Sequence, residues 1–344
     1  MPTIIITGAA GFIGSHVARK LIDLKYNVIG IDDFGGGFQR NIDALKTADN
    51  FMFFELDLSD PSNFSRIESI CEQYKPEYLY HLAASAREGA SHFDPIKIHL
   101  RNSTAYIPIL ESFIRNSGKK VILFSSMATY GNQQCPFKED IDLKPEDPYA
   151  TEKVLMEQWT KDLCETHDLN YTIIVPHNIF GINQAIEDPF RNLFGIMMNR
   201  CMRNEPLYIY GDGLQTRQFS YIEDSIDCYI KCLSDSLNGE RINIGGLQEV
   251  TILEAVEETI KYFPESKSEI VHVSNRWKEV KHATCDPTRS ITLLEYNEKI
   301  GWKKGVEVMA NWAKSIGPQE WMKDTLSLPN NNKMPKNWVR QKNI

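Results

Sequence analysis

The feature that most constrains this fold is a glycine-rich turn close to the start of the chain. Residues 3–6 form an apolar run typical of a buried strand, and three glycines follow at intervals of three: Gly8, Gly11 and Gly14. A helical pattern comes next, and a second apolar strand at residues 27–31 ends in Asp32. In such a motif the glycines permit a tight turn, close approach of a pyrophosphate and close helix–strand packing. The segment therefore predicts a phosphate site at a helix N-terminus.

Asp32 lies where an acid accepts the adenosine ribose hydroxyls of a bound dinucleotide. Its negative charge would repel a 2′-phosphate, so the motif predicts NAD rather than NADP as the cofactor. A glycine motif alone is weak evidence for a dinucleotide site. This motif lies between a strand and a helix and is followed by a strand-terminal acid, which makes the evidence strong.

Composition and charge narrow the possible partners. The 344 residues are 42% hydrophobic and 24% charged, with a formal net charge of −8. This balance argues against nucleic acid or an anionic membrane as the main partner. No apolar run approaches a membrane span, and nothing resembles a signal peptide. The seven cysteines are scattered without a C-x-x-C pair, as is typical of reduced thiols. We therefore expect a cytoplasmic protein.

The first half of the chain alternates between two patterns. Strands are predicted at residues 3–7, 27–31, 51–56, 78–82, 120–124 and 171–175, and helices between them include 61–74, 95–116 and 148–167. Helices of this length between apolar strands imply crossovers, and so an α/β fold with a doubly wound parallel sheet of the Rossmann type.

The pattern changes after Pro176, which suggests a division into domains. We predict a dinucleotide-binding domain over residues 1–176 and a smaller substrate lobe, intimately packed, over 177–325. Residues 326–344 are predicted to be an extended tail with a basic set of side chains: Lys333, Lys336, Arg340 and Lys342. A solvated terminus is the preferred interpretation of this tail, and a grip on phosphate or a partner is the alternative.

Tyr149 and Lys153 are the candidate catalytic pair. Asp147 can cap a helix and Pro148 can occupy its first turn, so a helix is predicted to begin here with Tyr149 and Lys153 on one face. A neighbouring ammonium and a nicotinamide cation favour phenolate and would lower the tyrosine pKa from about 10 towards about 7. Ser126, at the end of the fifth strand, can relay a proton between a substrate hydroxyl and Tyr149.

With these residues in place, the chain resembles the extended short-chain dehydrogenases/reductases, in the branch of NAD-dependent nucleotide-sugar epimerases and dehydratases. The matching motifs run from residue 3 to about residue 302 in the family's order: Gly8-x-x-Gly11-x-x-Gly14, Asp32, Asp57-Leu58, His81-Leu82-Ala83-Ala84, Ser125-Ser126, Tyr149-x-x-x-Lys153, Asn178, Gly211-Asp212-Gly213-x-x-x-Arg217 and Arg276-x-x-Glu279-Val280.

The resemblance implies a role for each matching position. NAD contacts are implied for Gly8, Gly11, Phe12, Ile13, Gly14, Asp32, Asp33, Asp57, Leu58, Leu82, Ala83, Ala84, Asn102, Ser125, Tyr149, Lys153 and His177. Substrate contacts are implied for Ser126, Tyr149, Asn178, Arg217 and Arg276, with the two arginines clamping the diphosphate of a sugar nucleotide. We assign no metal, because His81 has no second ligand at suitable spacing and is expected to be a satisfied, backbone-bonded histidine at a strand end.

Met127 and Ala128 narrow the reaction. The resembling dehydratases and UDP-glucuronate decarboxylases usually carry Glu directly after the strand-end hydroxyl, whereas neither residue here can transfer a proton. The resemblance therefore implies a 4-epimerase, which oxidises C4 to a 4-keto sugar and reduces it again on the other face, here with a UDP-sugar preferred. A one-way C4 dehydrogenase or keto-reductase and a non-catalytic NAD-binding regulator are the alternatives.

Three positions are predicted to set substrate identity. Arg87, in an unusually charged segment, can face the sugar or pair with Glu88. Arg191 can meet a substrate carboxylate or a surface acid. Ala283 falls at the position that gates sugar size in the resembling epimerases, which predicts room for an N-acetylhexosamine or a uronic acid. A slip of one residue would place His282 or Thr284 at this gate.

A homodimer is also implied by the resemblance. Family members commonly pair the helices that follow the fourth and fifth strands, here near residues 95–116 and 148–167. The sequence does not separate core from interface among their apolar positions: Ile107, Leu110, Ile114, Leu155 and Trp159.

Overall fold

The computed structural model describes residues 1–323, 326–328, 333–335 and 338. The strands of this part of the chain are β1 Thr3–Thr7, β2 Asn27–Asp32, β3 Phe51–Glu55, β4 Tyr78–His81, β5 Lys120–Phe124, β6 Asn170–His177, β7 Ile179–Phe180, β8 Leu207–Tyr210, β9 Thr216–Gln218, β10 Ser220–Tyr221, β11 Glu240–Gly245, β12 Glu249–Thr251, β13 Ile270–Val273 and β14 His282–Ala283.

Helices connect these strands. They are α1 Phe12–Asp23, α2 Gln39–Asp43, α3 Phe64–Tyr74, α4 Glu88–Ser91, α5 Pro95–His99, α6 Ala105–Arg115, α7 Pro148–Thr166, α8 Leu193–Arg203, α9 Ile222–Lys231, α10 Ile252–Ile260, α11 Thr288–Leu294 and α12 Gly301–Ile316. A π-helical turn, Leu100–Thr104, joins α5 to α6.

Seven strands form one parallel sheet in the order β11-β6-β5-β4-β1-β2-β3. Every residue of β5 is buried, as are four of the five residues of β1, because helices cover both faces of the sheet. Two apolar clusters pack on the two faces. The prediction of a Rossmann-type α/β fold is therefore confirmed.

The glycine turn has the geometry that its sequence predicts. Gly8 has a φ of +73°, and a Cβ atom there would lie 2.7 Å from the backbone nitrogen of Ala83. A Cβ atom on Gly14 would lie 2.0 Å from the carbonyl oxygen of Gly8, so only glycine lets α1 pack this closely on the turn. The turn consequently brings the N-terminus of α1 to the carboxyl edge of the sheet.

The start of α7 also follows the sequence prediction. The Asp147 carboxylate caps the helix by accepting a hydrogen bond from the Ala150 N–H at 2.9 Å, and Pro148 occupies the first turn. This cap fixes the position from which Tyr149 and Lys153 project.

The chain returns to the central sheet after the boundary predicted at residue 176. β11 pairs in parallel with β6 over six residues, so the large domain takes its seventh strand from residues 240–245. The rest of the C-terminal half forms three small sheets, β7 with β10, β8 with β13, and β9 between β12 and β14. The segment predicted to form a separate lobe, residues 177–325, thus contributes a strand to the central sheet.

Candidate active site

A cavity of about 720 Å³ runs along the carboxyl edge of the central sheet. Its wall contains the glycine turn, the strand-end acids, the catalytic pair and the predicted arginines. Two predicted cofactor residues do not reach this wall. Asn102 is buried and donates to the carbonyl of Ile98, and His177 is buried with its Nε2 3.1 Å from Asn243 Oδ1. Both belong to the framework behind the cavity.

The glycine turn forms one end of the cavity, where Gly8, Gly11 and Gly14 all line the wall. Gly11 is the N-cap of α1 and has no side chain to cap the helix, so the first N–H groups of α1 are available to a phosphate. This cradle of glycines and available N–H groups fits the pyrophosphate of NAD.

Three carboxylates lie next to this cradle, each anchored by its own turn. Asp32 accepts hydrogen bonds from the N–H groups of Ala10 at 3.0 Å and Phe34 at 2.8 Å. Asp33 accepts from Gly35 N–H, and Asp57 from Ser59. Burial raises the pKa of Asp32 while these backbone N–H groups lower it. A carboxylate has about four acceptor sites, so Asp32 can still bind ribose hydroxyls.

Tyr149, Ser126 and Lys153 meet in the middle of the cavity. Tyr149 is hydrogen bonded to Ser126, and Lys153 Nζ donates to the Phe124 carbonyl at 2.9 Å. Burial raises the pKa of Tyr149 to about 12 and lowers that of Lys153 to about 8. The lowered tyrosine pKa predicted from the sequence is therefore not produced by the chain's own groups. It requires the positive charge that NAD⁺ supplies when bound.

Glu157 and Arg241 support this centre, and sequence reasoning missed both. Arg241 Nε donates to Glu157 Oε2 at 2.9 Å and its Nη2 to Glu157 Oε1 at 3.1 Å, with both side chains buried. Glu157 also accepts from Ser125 and raises the pKa of Lys153. Glu157 follows Lys153 by one helical turn, so the spacing offered a signal. Arg241, on β11, offered none.

The predicted diphosphate clamp lines the opposite end of the cavity. Arg217 Nη1 and Nη2 donate to the backbone carbonyls of Thr216 at 2.7 Å and Val280 at 2.8 Å. Arg276 pairs with Glu279 at 2.7 Å and lies over the Tyr210 ring. Both guanidinium groups are therefore held in place by protein partners.

A second pair of arginines lies nearer the catalytic centre. Arg87 pairs with Asp188 at 3.1 Å. Arg191 makes no hydrogen bond or ion pair with any described residue, and its charge lowers the pKa of Tyr149. Burial lowers the pKa of Arg191 itself, while Asp188 raises it. Asp188 thus faces two guanidinium groups, while the charges of Glu88 and Asp147 act on Tyr149 in the opposite direction to that of Arg191. The sequence left Glu88 open as a partner of Arg87. In the structure, the charge of Glu88 acts on Arg217 and Arg276 in the direction that raises the pKa of each.

Ala283 lines the cavity, whereas His282 points elsewhere and lies 2.9 Å from Thr216 Oγ1. Thr284 is buried and is absent from the wall. The structure therefore favours the register that places Ala283 at the wall.

Part of the C-terminal tail packs on the cavity wall. Leu326, Met334 and Trp338 are buried in a cluster with Ala90 and Phe93. The Trp338 ring also packs edge-on against Phe190, with ring centroids 5.2 Å apart. The prediction of a solvated tail is wrong at these residues, because aromatic burial outweighs fraying. The predicted basic residues Lys336, Arg340 and Lys342 lie outside the described residues.

His81 is buried, and its Nδ1 lies 2.9 Å from Thr7 Oγ1, so a side chain rather than the backbone is its partner. In the part of the chain that the structure describes, no group of three or more His, Cys, Asp or Glu side chains could hold a metal ion. No helix there is long and apolar enough to cross a membrane.

The fold and cavity define a dinucleotide-dependent enzyme with a tyrosine–lysine centre. The family model for the NAD dependent epimerase/dehydratase family matches residues 4–245, and the chain belongs to this family. NAD is its cofactor, and the glycine cradle and adjoining acids fit it.

Relatives and solved structures are similar over most of this chain. The UDP-N-acetyl-alpha-D-glucosaminuronate decarboxylase of Bacillus cytotoxicus is 27% identical, covering 91% of this chain and 98% of its own. UDP-glucuronic acid 4-epimerase from Bacillus cereus, solved with UDP-glucuronic acid and NAD, is 27% identical with a TM-score of 0.83, covering 91% and 99%. UDP-glucose 4-epimerase from Thermotoga maritima, solved with UDP-glucose, is 26% identical with a TM-score of 0.82, covering 91% and 99%. These findings support the 4-epimerase interpretation over its alternatives.

Proposed function

We propose that this protein is an NAD-dependent 4-epimerase that acts on a UDP-linked uronic acid. The observation that carries the substrate assignment is Arg191, a cation beside Tyr149 with no hydrogen-bonding partner among the described residues. Arg191 is partly buried, and a partly buried guanidinium is stabilised when a bound anion compensates its charge. A uronic acid bears its carboxylate on C5, the neighbour of the reacting C4, and so presents an anion next to the tyrosine.

The chain's own residues supply the proton chemistry at C4. The Tyr149 phenolate takes the proton of the C4 hydroxyl, and Ser126, the hydrogen-bond partner of Tyr149, contacts the same hydroxyl. Lys153 stabilises phenolate by its charge and is fixed by the Phe124 carbonyl. NAD held by the glycine turn and the strand-end acids would supply reversible hydride transfer at C4, with oxidation at one face of the sugar and reduction at the other.

Rotation of the 4-keto sugar between these steps requires an anchor that does not move with it. Arg217 and Arg276 are suited to hold the diphosphate during rotation, because protein contacts already fix both guanidinium groups. Met127 and Ala128, which follow Ser126, offer no acid or base, so loss of water or carbon dioxide is not assisted there.

A substrate panel tests this proposal. We would incubate the purified protein with UDP-glucose, UDP-N-acetylglucosamine and UDP-glucuronic acid and follow the sugar protons by NMR. We expect UDP-glucuronic acid to convert to UDP-galacturonic acid with the highest kcat/KM.

The other outcomes would revise separate parts of the proposal. Conversion of UDP-glucose alone would overturn the uronic acid and leave the 4-epimerase. Release of a UDP-pentose would indicate decarboxylation. Net accumulation of NADH would indicate a one-way dehydrogenase, and no conversion of any sugar would favour a regulator.

We further propose that the protein is a cytoplasmic homodimer. Several apolar side chains of α5, the π-helical turn and α7 are exposed: Ile96 71%, Leu100 41%, Leu155 39% and Trp159 36%. By contrast, Leu110 is fully buried in the core. Such a patch is typical of an interface between subunits. Light scattering at micromolar concentration should give twice the chain mass, and a Trp159→Glu variant should shift it to the monomer mass.

A further inference from the structure

Arg101 bridges two of the acids at the adenosine end of the cavity. Its Nη1 pairs with Asp33, which follows β2, and its Nη2 lies 3.4 Å from Asp57, which follows β3. The side chain lies on the cavity wall and is about one third exposed. Its charge also acts on Asp32. One guanidinium thus ties together the ends of two strands between which an adenosine binds.

A π-helical turn places Arg101 at this site. The turn Leu100–Thr104 adds a residue to the helical ladder between α5 and α6. Because one residue corresponds to about 100° of helix rotation, a regular helix would direct the side chain differently relative to α6. Single π turns are frequently found at functional sites.

Gly35 leaves room for the pair. A Cβ atom on Gly35 would lie 2.9 Å from Asp33 Oδ1 and 3.3 Å from Arg101 Nη1. A larger residue at position 35 would therefore push the two side chains apart. The loop after β2, the end of β3 and the π turn are thus shaped around one ion-paired guanidinium.

We infer that Arg101 is a cofactor-retaining residue that closes over the adenosine half of NAD by bridging Asp33 and Asp57. Release of the cofactor requires both ion pairs to open, since they join the two sides of the adenosine end. Retention suits a reaction in which the cofactor is reduced and reoxidised within one cycle. The inference rests on NAD binding and not on the identity of the sugar, so a failed substrate panel leaves it standing.

The test measures cofactor exchange in the holoprotein. Protein purified with bound NAD is mixed with excess isotope-labelled NAD, and exchange is followed by native mass spectrometry. Arg101→Ala removes two half-exposed ion pairs, each contributing about 0.2–1 kcal/mol, so together their loss should release NAD about 2- to 30-fold faster than in the parent. Arg101→Lys keeps the charge but not the planar, forked guanidinium, so its NAD release rate should lie between those of the parent and Arg101→Ala.

Arg115→Ala is the matched control. Arg115 ends α6 and pairs with Glu111 on the exposed side of that helix, so its removal should leave the exchange rate unchanged. High salt should speed release from the parent more than from Arg101→Ala, because salt screens the ion pairs that the variant lacks.

Equal exchange rates in Arg101→Ala and the parent, at equal thermal stability, would overturn the inference. The inference would also be overturned if Arg101→Ala lost affinity for NADP while its NAD exchange rate stayed unchanged. Arg101 would then be a contact for a 2′-phosphate. A variant that exchanges faster but whose rate still rises with salt as in the parent would show that the ion pairs are not the cause.

Discussion

The two ends of the cavity are built by different means. At the cofactor end, each acid is anchored within two residues by backbone N–H groups, as Asp33 is by Gly35 and Asp57 by Ser59. At the substrate end, Arg276 pairs locally with Glu279, but Arg87 and Asp188 come from segments far apart in sequence. Local rules therefore fix the cofactor end, whereas long-range packing fixes the substrate end. The substrate can change in such a protein while the cofactor stays the same.

Tyr149 lies between the two ends, and its loss should have the largest effect. Tyr149→Phe removes one hydroxyl, so NAD binding and the fold should persist while kcat falls about 10²- to 10⁴-fold. Stopped-flow and steady-state assays measure the loss, and bound NAD is measured after acid extraction. Activity within a few-fold of the parent would mean that another residue takes the proton.

Arg191 should affect mainly the substrate end. Arg191→Leu removes the proposed partner of the sugar carboxylate, and a hydrogen bond to a charged group contributes about 1.5–3 kcal/mol. We expect kcat/KM for UDP-glucuronic acid to fall about 10- to 100-fold. The fall for UDP-glucose should be smaller, because it reflects only the loss of the charge that lowers the pKa of Tyr149. Arg203→Leu, at the partly exposed end of α8, is the control. An equal fall with both sugars would show that Arg191 does not select the carboxylate.

Asp32 should affect the cofactor end alone. Asp32→Asn keeps a hydrogen-bond acceptor for the turn but removes the charge that repels a 2′-phosphate. We expect the ratio of Kd for NADP to Kd for NAD to fall about tenfold in calorimetric titrations, since a single charge contact contributes about 1.4 kcal/mol. An unchanged ratio would remove Asp32 from cofactor selection and leave Asp33 as the next candidate.

Ala283 should give the smallest effect, and one limited to bulky sugars. Ala283→Tyr adds a ring to the cavity wall beside Arg217, its neighbour in the β9–β14 pairing. We expect KM for UDP-N-acetylglucosamine to rise about fivefold more than KM for UDP-glucose, which corresponds to about 1 kcal/mol, the lower end of pocket size effects. Equal changes for both sugars would place Ala283 away from the sugar.

The sequence predicted much of the fold and of the cofactor end because the relevant rules are local. The glycine spacing after β1 requires a turn with φ above zero at Gly8, and the Asp147–Pro148 pair determines where α7 begins. Strand and helix periodicity within the first 176 residues predicted the parallel sheet.

The sequence failed where a side chain depends on a distant partner. It assigned His177 to the cofactor, but Asn243, on the strand β11 that it did not predict, holds that ring behind the wall. The sequence also predicted a solvated tail. Trp338 packs against Phe190, and nothing in the residues near Trp338 in the sequence indicates this distant partner.

By itself, the sequence determined a Rossmann-type sheet, an NAD cradle and a Tyr149–Lys153 pair, because backbone geometry and helix spacing act over a few residues. The tertiary structure alone decided which charges face the substrate and which are compensated. Arg241 reaches Glu157 across 84 positions, and Arg87 reaches Asp188 across 101. The electrostatic field at a buried site is the sum over such charge pairs, and a pattern of neighbouring residues in the sequence does not predict it.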